Sequence, residues 1–291
     1  MKWGTTYSQK YAKDLGLDWK QAFKSIFDSI KFETVRLCAY WDEIEASKDS
    51  FSFANLDWLI EESTSRGIEV TLSLGRKVPR WPEYHEPSWV KANDYSFLEK
   101  RLLNYIDKTV SRYKNHSIIT RWQIENEPFW SFGNSDYPIQ EDTVHKEYEL
   151  VKGLDNREIV CTDTGTWSSW RKAAKYGDQI GVNIYPIVYK QSKYFRQPEY
   201  SLVYRLKKLL ISKPILISEL QAEPWGPGKV QDLDEAEWQN SISIDKLNRN
   251  ILLAKRTGID EAWLWGCEWW EFLKQNGNTT IFNHIKEIIN G

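Results

Sequence analysis

Short apolar runs alternate with amphipathic segments along the whole chain. Eight runs are rich in β-branched residues and have the length of strands, while the segments between them place apolar residues about 3.6 positions apart, as helices do. The predicted strands are KWGTT (2–6), TVRLCAY (34–40), EVTLSLG (69–75), ITRWQIE (119–125), EIVCTD (158–163), QIGVNIY (179–185), PILISEL (214–220) and EAWLWGC (261–267).

One intervening segment shows the helical pattern clearly. In NLDWLIEESTSRG, Leu56, Leu59 and Ile60 share one face, and Gly67 stands where a C-terminal cap belongs. Strict alternation of strands and helices predicts a parallel sheet with right-handed crossovers. Eight such units in 291 residues predict an α/β fold, a single (β/α)8 TIM barrel that spans residues 1–291 as one domain.

An open, doubly wound sheet is the alternative fold. Such a sheet usually carries a glycine-rich phosphate turn after its first strand. The residues in that place, YSQKYAKDLG, form neither GxGxxG nor a P-loop. The sequence therefore favours the closed barrel and indicates no nucleotide cofactor.

Charge and hydropathy name no macromolecular partner. The net charge is -2, from 39 basic and 41 acidic residues that are interspersed, which argues against binding to nucleic acid or an anionic membrane. No obligate protein partner is indicated. No apolar run has membrane-spanning length, and the N-terminal MKWGTTY leads straight into strand-like sequence without a signal peptide. We therefore expect a cytoplasmic protein.

Cysteine and histidine give no metal pattern. Cys38, Cys161 and Cys267 are far apart without CxxC spacing, so we interpret them as small core residues rather than disulfides or zinc ligands. The four histidines form no HxH or HExxH motif at a strand end, which argues against a metal-dependent hydrolase.

Polar residues cluster where the predicted strands end. Active sites of such barrels lie at the C-terminal ends of the strands. Glu127 follows the fourth strand and Glu219 lies on the seventh, so two carboxylates from different strands are expected at one barrel mouth. Glycoside hydrolysis uses this pair, one group to protonate the departing oxygen and one to attack the anomeric carbon or activate water.

Aromatic residues are abundant, with 16 Trp and 15 Tyr against a single Met. Sugars present C–H faces that pack on flat rings. The tryptophans at or just past strand ends are Trp41, Trp81, Trp130, Trp167, Trp170, Trp225, Trp265, Trp269 and Trp270. We predict that Trp41, Trp81, Trp130 and Trp265 contact substrate, whereas Trp58 and Trp238 fit helix patterns and are expected to pack.

Several segments together resemble the clan A glycoside hydrolases. WQIENEP, followed 92 residues after Glu127 by Glu219 in PILISELQAEPW, is similar to the acid/base and nucleophile strands of that clan. VRLCAYWDEIEASKDSFSFANLDWLI, VNIYP and AWLWGCEWW extend the similarity over essentially the whole chain. The resemblance points to family five or a related family. Family five usually carries histidines near the third and sixth strand ends, where this chain has RKVPRWPEYHEP and Asn183.

The resemblance implies a role for each matching residue. Glu127 would be the general acid and then the general base, and Glu219 would form the covalent glycosyl intermediate. Asn126 would hold the sugar 2-hydroxyl, and Trp265 would floor the sugar subsite. Arg36 and Tyr185 would hydrogen-bond Glu219, and Asn183 beside them is a further substrate-binding candidate. The implied activity is a retaining β-glycosidase that acts on an oligo- or polysaccharide.

Some assignments have rivals in the sequence. Glu223 competes with Glu219 but falls in a predicted loop, and Glu125 competes with Glu127 but is expected to support its neighbours through hydrogen bonds. His85 is either a site residue or a surface-loop histidine. The residues Arg76, Lys77 and Arg80 are expected in a solvated loop, with a basic rim for an acidic sugar as the alternative. A non-catalytic carbohydrate-binding TIM barrel is the alternative function.

Overall fold

A computed structural model describes residues 1–91 and 94–291 of the chain. Its strands, in chain order, are β1 (Lys2–Tyr7), β2 (Thr34–Cys38), β3 (Glu69–Leu74), β4 (Ile119–Ile124), β5 (Glu158–Asp163), β6 (Gln179–Ile184), β7 (Ile187–Lys190), β8 (Lys193–Arg196), β9 (Ile215–Gln221) and β10 (Glu261–Trp265). Within the described residues, eight strands close into a barrel in the order β1-β10-β9-β6-β5-β4-β3-β2, and β7 pairs with β8 as a separate hairpin.

Helices separate the barrel strands along the chain. They are α1 (Gln9–Asp14), α2 (Trp19–Ser29), α3 (Trp41–Ile44), α4 (Ala54–Arg66), α5 (Ser88–Lys91), α6 (Tyr95–Tyr113), α7 (Glu141–Leu154), α8 (Arg171–Tyr176), α9 (Ser201–Leu210), α10 (Glu235–Trp238), α11 (Ile244–Arg256), α12 (Cys267–Gln275) and α13 (Thr280–Asn290). A 3-10 helix covers Val230–Asp232.

The closed barrel confirms the predicted fold class. Every predicted strand is present, with both ends placed within two residues of the observed bounds. The hairpin of β7 and β8 was not predicted, because its residues IVYKQSKYFR are mostly polar or exposed and lack the apolar run of a buried strand. In barrel order, β9 and β10 are the seventh and eighth strands of the sequence prediction.

The barrel residues fall into two compact units. The first comprises Met1–Val35, Gly165–Trp167 and Val182–Gly291. In it, β1 pairs in parallel with β10, and β10 pairs in parallel with β9. Helix α2 begins at the N-cap Asp18, whose carboxylate accepts from the N–H of Lys20 and Gln21. Its buried face includes Phe23, which meets Tyr7 of β1 edge to face at 5.1 Å.

The second unit comprises Arg36–Thr164 and Ser168–Gly181. Here β3 pairs in parallel with β4, and β4 pairs in parallel with β5. Helix α4 ends at Gly67, which adopts the left-handed conformation with φ 66°, as the sequence predicted. Helices α6 and α7 pack against each other.

Two further expectations concern side chains and helix character. Cys38, Cys161 and Cys267 are buried and none of them is in a disulfide bond, which confirms their assignment as core residues. None of the helices in residues 1–91 and 94–291 has the length and apolar character needed to cross a bilayer.

Strand β1 provides a test of barrel packing. A Cβ atom on Gly4 would lie 2.6 Å from Trp263 Cδ1 and 2.7 Å from the carbonyl oxygen of Thr34, too close for either neighbour. We expect Gly4→Ala to lower the free energy of unfolding by about 3 kcal/mol through overpacking. The matched control is Gly153→Ala in α7, where no atom lies within 4 Å of the added Cβ.

Because alanine is a better helix former than glycine, Gly153→Ala should raise stability by about 0.5–1 kcal/mol. Urea denaturation of both variants measures the difference. Equal stability of the two variants would contradict the close packing at Gly4.

Candidate active site

The segment after β4 has an unusual backbone. Glu125 and Glu127 both have positive φ, 53° and 44°, although neither is glycine. Left-handed conformations of ordinary residues cost roughly 1–3 kcal/mol and persist where the surroundings hold them. The chain therefore turns sharply at ENE, with one glutamate on each side of Asn126.

Hydrogen bonds within the second unit fix the turn around Glu127. Its backbone N–H donates to Thr162 Oγ1 at 2.8 Å, and the Thr162 hydroxyl lies 3.3 Å from Asn126 Oδ1, to which it donates. Thr162 belongs to β5 and is fully buried. Glu127 itself is 7% exposed, so its carboxyl lies at the edge of the buried region.

The carboxylate of Glu125 ties the end of β3 to the end of β4. It accepts the backbone N–H of Arg76 at 3.1 Å and that of Lys77 at 2.6 Å. Gly75 lies against the same carboxylate, and a Cβ there would meet Glu125 Cδ at 2.6 Å. The prediction that Glu125 supports its neighbours through hydrogen bonds is confirmed.

Lys77 extends this tie to the rest of the turn. Its carbonyl oxygen accepts the N–H of Asn126 at 2.6 Å. Its Nζ donates to the carbonyl oxygens of Glu127 at 3.1 Å and Trp130 at 2.9 Å, and it lies 3.7 Å from the ring centre of Phe132. One lysine thus holds residues 126, 127 and 130 together.

A second carboxylate orients the side chain of Asn126. Asn126 Nδ2 donates to Glu83 Oε2 at 3.1 Å, while Asn126 Oδ1 accepts from Thr162, so the two ends of the amide are distinguished. Glu83 has φ 71° and packs on Gly133, where a Cβ would lie 2.8 Å from the Cβ of Glu83.

The loop after β3 differs from its prediction. Arg76, Lys77 and Arg80 were expected in a solvated loop, but all three are at most 4% exposed. Arg76 pairs with Glu86 and donates to Tyr137 O at 2.8 Å, which compensates for the loss of water. The solvated-loop expectation was wrong because the sequence could not show these partners.

His85 is also buried rather than on the surface. Its ring is 1% exposed, lies 4.4 Å from the ring of Tyr40, and places Nε2 3.1 Å from the carbonyl oxygen of Arg80. The surface-loop interpretation is therefore wrong.

In the first unit, Glu219 lies on β9 and is 5% exposed. The Tyr185 hydroxyl donates to Glu219 Oε2 at 2.7 Å, so the hydrogen bond that the resemblance implied for this pair is present. The Tyr185 ring in turn meets the ring of Trp225 edge to face at 5.4 Å. Tyr185 thus holds Glu219 through its hydroxyl group, and Trp225 packs against the ring of Tyr185.

The backbone at Glu219 is irregular. Ala262 of β10 pairs with Ile217, and Leu264 pairs with Leu220, so Trp263 alone faces two residues of β9, Ser218 and Glu219. This is a β-bulge, which bends a strand and re-aims the side chains beside it. The alternation that sequence reasoning assumes is broken at Glu219.

Asn183 and Trp265 are each tied to a neighbour in the first unit. Asn183 Oδ1 accepts from Ser218 Oγ at 2.9 Å. Trp265 Nε1 donates to Glu223 Oε1 at 2.7 Å, and both residues are less than 10% exposed. Glu223 lies after the end of β9, as expected for a loop residue. Its carboxylate orients the indole of Trp265.

The predicted aromatic contacts divide by exposure. Trp81 and Trp130 are 66% and 51% exposed, as a sugar platform requires. Trp41 has no exposed surface, because its ring stacks on Tyr105 at 5.5 Å and its Nε1 donates to Glu45. We therefore withdraw Trp41 from the substrate-contacting set.

The other strand-end tryptophans divide in the same way. Trp170, Trp269 and Trp270 are fully buried, whereas Trp167 and Trp225 are 72% and 45% exposed.

Arg36 on β2 is fully buried, and its Nη1 lies 3.3 Å from Gln123 Oε1, to which it donates. The implied hydrogen bond from Arg36 to Glu219 stays a prediction. In the part of the chain that the structure describes, no group of three or more His, Cys, Asp or Glu side chains is arranged to hold a metal ion.

Sequence reasoning missed three residues that organise the turn, namely Thr162, Glu83 and Lys77. Thr162 could have been found, since it is a polar residue at the C-terminal end of a predicted strand. Glu83 and Lys77 gave no such signal, because both lie in a polar loop whose burial is set by contacts distant in sequence.

The fold and these two sets of residues define a class. A closed (β/α)8 barrel with an Asn-Glu pair after β4 and a tyrosine-bonded glutamate on β9 places the chain among the glycoside hydrolase barrels. The family described as "Glycosyl hydrolases family 2, TIM barrel domain" matches residues 26–274. The chain belongs to this family, which confirms the recognition of a clan A-like glycoside hydrolase.

Comparisons with individual proteins agree with this assignment. The chain is 25% identical over 116 residues to the "Probable mannan endo-1,4-beta-mannosidase A" of Aspergillus clavatus, covering 36% of this chain and 31% of that protein. It therefore spans about a third of that relative's length.

Solved structures share the fold at low sequence identity. A GH5_18 protein from Bifidobacterium longum subsp. longum, in complex with Manb1-4GlcNAc, superposes with a TM-score of 0.67 at 13% identity, covering 100% of this chain and 78% of that one. A family 10 endo-beta-1,4-xylanase from Gloeophyllum trabeum gives a TM-score of 0.61 at 15% identity, covering 91% and 83%.

The hydrogen bonds at Thr162 can be tested by stability. Thr162→Val removes the hydroxyl that accepts from Glu127 N–H and donates to Asn126, at nearly constant volume. We expect the free energy of unfolding to fall by about 1–3 kcal/mol, since a buried backbone donor loses its partner.

The matched control is Thr71→Val on β3. The Thr71 hydroxyl is buried and has no hydrogen-bond partner among the described residues, so its removal should be neutral or stabilising. Urea denaturation measures both variants. If the two substitutions have the same effect, the Thr162 hydrogen bonds contribute nothing to stability.

Proposed function

We propose that the protein is a retaining β-glycosidase that hydrolyses O-glycosidic bonds of an oligo- or polysaccharide by double displacement. The observation that carries this proposal is a pair of largely buried glutamates at the ends of two barrel strands. Glu127 is held in a strained turn beside Asn126, and Glu219 is held by the hydroxyl of Tyr185. A carboxylate is not buried in this way without a use for its charge or its proton.

The two glutamates have different roles in the proposed reaction. Glu219 attacks the anomeric carbon, while protonated Glu127 gives its proton to the departing oxygen. The glycosyl unit is then bound covalently to Glu219. Glu127, now ionised, takes a proton from water as the water attacks the same carbon, and Glu219 leaves. The anomeric configuration is retained because each of the two displacements inverts the configuration at the anomeric carbon.

The surrounding residues support these roles. Tyr185 donates to Oε2 of Glu219, which aims the carboxylate. The side-chain amide of Asn126 has two N–H groups. One of them donates to Glu83, so the other is available to a sugar hydroxyl. Hydrogen bonds to the 2-hydroxyl that tighten in the transition state lower the barrier.

Exposed rings point to a substrate of several sugar units. Trp81 and Trp130 in one unit and Trp225 in the other offer flat apolar surface to C–H faces of a sugar. Fixed exposed rings of this kind suit an oligosaccharide better than a small glycoside.

A β-mannoside is the first sugar configuration to test. The Aspergillus clavatus relative carries a mannan endo-1,4-beta-mannosidase name, and the Bifidobacterium longum structure contains Manb1-4GlcNAc. Sugar preference depends on contacts to single hydroxyl groups, so gluco and galacto configurations belong in the same panel.

Covalent labelling tests the nucleophile directly. We expect fluorinated β-glycoside inactivators of manno, gluco or galacto configuration to add one glycosyl unit to the protein, because fluorine at C2 slows hydrolysis of the intermediate more than its formation. Intact-mass analysis followed by peptide mapping should place the adduct on Glu219. Glu219→Gln should abolish labelling.

Glu223→Gln is the matched control for this experiment, since Glu223 lies just after the end of β9 and its carboxylate accepts from Trp265. That variant should still be labelled. An adduct on Glu223, or sugar binding with no adduct and no product from any glycoside, would contradict the assignment. The second outcome would favour a carbohydrate-binding barrel without turnover.

The pH dependence tests the division of roles. Because one glutamate must begin protonated and the other ionised, kcat/KM should follow a bell-shaped curve with both limbs between about pH 4 and 8. Glu127→Gln should lower kcat/KM by about 10²–10⁴ for a substrate with a poor leaving group. For a dinitrophenyl glycoside, whose leaving group needs no proton, kcat/KM covers only the steps up to the covalent intermediate and should fall much less. A flat pH profile would count against these roles.

A further inference from the structure

Glu147 is fully buried and has no part in the proposed chemistry. Glu147 is in the middle of α7, on the face that also buries Thr143, Val144 and Val151. Within the described residues, neither carboxyl oxygen of Glu147 has a hydrogen-bond donor from another group. An ionised carboxylate in that position would be very costly.

Helix α7 packs against β4, and the charged group that acts most strongly on Glu147 there is the fully buried carboxyl group of Glu125, just after the end of β4. Burial, followed by repulsion from Glu125, raises the pKa of Glu147 well above its ordinary value. Burial raises the pKa of Glu125 as well, but the hydrogen bonds that its carboxylate accepts, among them the backbone N–H groups of Arg76 and Lys77, act against that rise. Glu147 accepts no such N–H group among the described residues, so a proton shared by the pair belongs on Glu147.

We propose that Glu147 is a positioning residue for the acid/base turn, whose protonated carboxyl group holds the Glu125 carboxylate against the backbone of Arg76 and Lys77. This inference rests on the proposed function of Glu127. Glu147 itself touches no reacting atom, and it acts through Glu125.

The contacts form a continuous path to the acid/base. Glu125 accepts the Lys77 N–H, and the carbonyl oxygen of Lys77 accepts the Asn126 N–H. Lys77 Nζ then donates to the carbonyl oxygen of Glu127. Displacement of Glu125 would shift Lys77, and with it the backbone on both sides of Asn126. The glycine at position 75 leaves room for this carboxylate, since a Cβ there would lie 2.6 Å from Glu125 Cδ.

The charges around the pair favour a single negative charge. Burial raises the pKa of both carboxyl groups, and Arg76 acts against that rise at each of them, as the backbone N–H of Lys77 does at Glu125. Glu99 on α6 and Glu125 itself act in the opposite direction on Glu147. One cation facing two carboxyl groups compensates for one ionised group, so the second proton stays.

Two substitutions of Glu147 distinguish its hydrogen bond to Glu125 from its contribution to packing. Glu147→Gln keeps a donor for Glu125, and its kcat/KM should stay within about threefold of the unmodified protein. Glu147→Leu keeps the volume and removes the donor. It should lower kcat by about tenfold to hundredfold, because a displacement of about 1 Å at a catalytic group has an effect of that size. KM should change little, since no substrate contact is removed.

A second readout needs no turnover. The raised pKa makes the folded protein bind a proton that the unfolded chain releases above its ordinary value of 4.5. The contribution of Glu147 to stability is therefore complete below that value and is lost as pH rises towards the pKa in the folded state. Glu147→Gln has no proton to release, so its free energy of unfolding should fall less steeply from pH 4.5 upwards than that of the unmodified protein.

The outcomes are distinguishable. A folded Glu147→Leu protein with unchanged kcat/KM would overturn the proposal, and so would a Glu147→Gln protein as impaired as Glu147→Leu. Parallel stability curves for Glu147→Gln and the unmodified protein would also overturn it. If Glu147→Leu does not fold, the activity and pH dependence of Glu147→Gln still decide the question. Failure of the proposed glycosidase function would instead appear as an inactive, unlabelled parent protein, with the stability difference intact.

Discussion

The cost of burying carboxylates at the ends of barrel strands governs much of this structure. A buried carboxylate needs donors, and the chain supplies them from its own backbone and from a few side chains. Glu125 takes two backbone N–H groups of the loop after β3, and in doing so fixes where that loop lies. The position of Lys77, and through it the turn that carries Glu127, follows from this one requirement.

Glu219 meets the same requirement in a different way. Its donor is the hydroxyl of Tyr185, and its strand carries a bulge at the same place. A bulge gives up regular pairing locally in exchange for a side-chain direction that regular pairing does not allow. Glu127 is instead aimed by a left-handed backbone. In both cases the backbone departs from regular geometry where the chemistry is proposed to occur, as is common at functional sites.

The predictable part of the structure is the part that depends on local pattern. Barrel strands such as β5 are buried on both faces and appear in the sequence as apolar runs, so their positions were readable. Polar residues at strand ends could be recognised for the same reason, which is why Glu127 and Glu219 were selected as candidates.

Contacts between residues distant in sequence were not readable. Nothing local indicates that Arg76 is compensated by Glu86, or that the ring of Trp41 stacks on Tyr105 and leaves the surface. Positive φ at Glu125 and the bulge at Glu219 also leave no trace in hydrophobic periodicity, since both depend on hydrogen bonds made after folding.

The uneven exposure of the tryptophans has an optical consequence. Trp41, Trp122, Trp170, Trp263, Trp269 and Trp270 are fully buried, whereas Trp81, Trp130, Trp167 and Trp225 are open to water. A dissolved quencher such as iodide reaches only the open indoles, so the intrinsic fluorescence divides into a shielded and an accessible part. A saccharide bound across Trp81 and Trp130, as proposed, would remove these two indoles from the accessible part. Quenching would then report ligand occupancy without any attached dye.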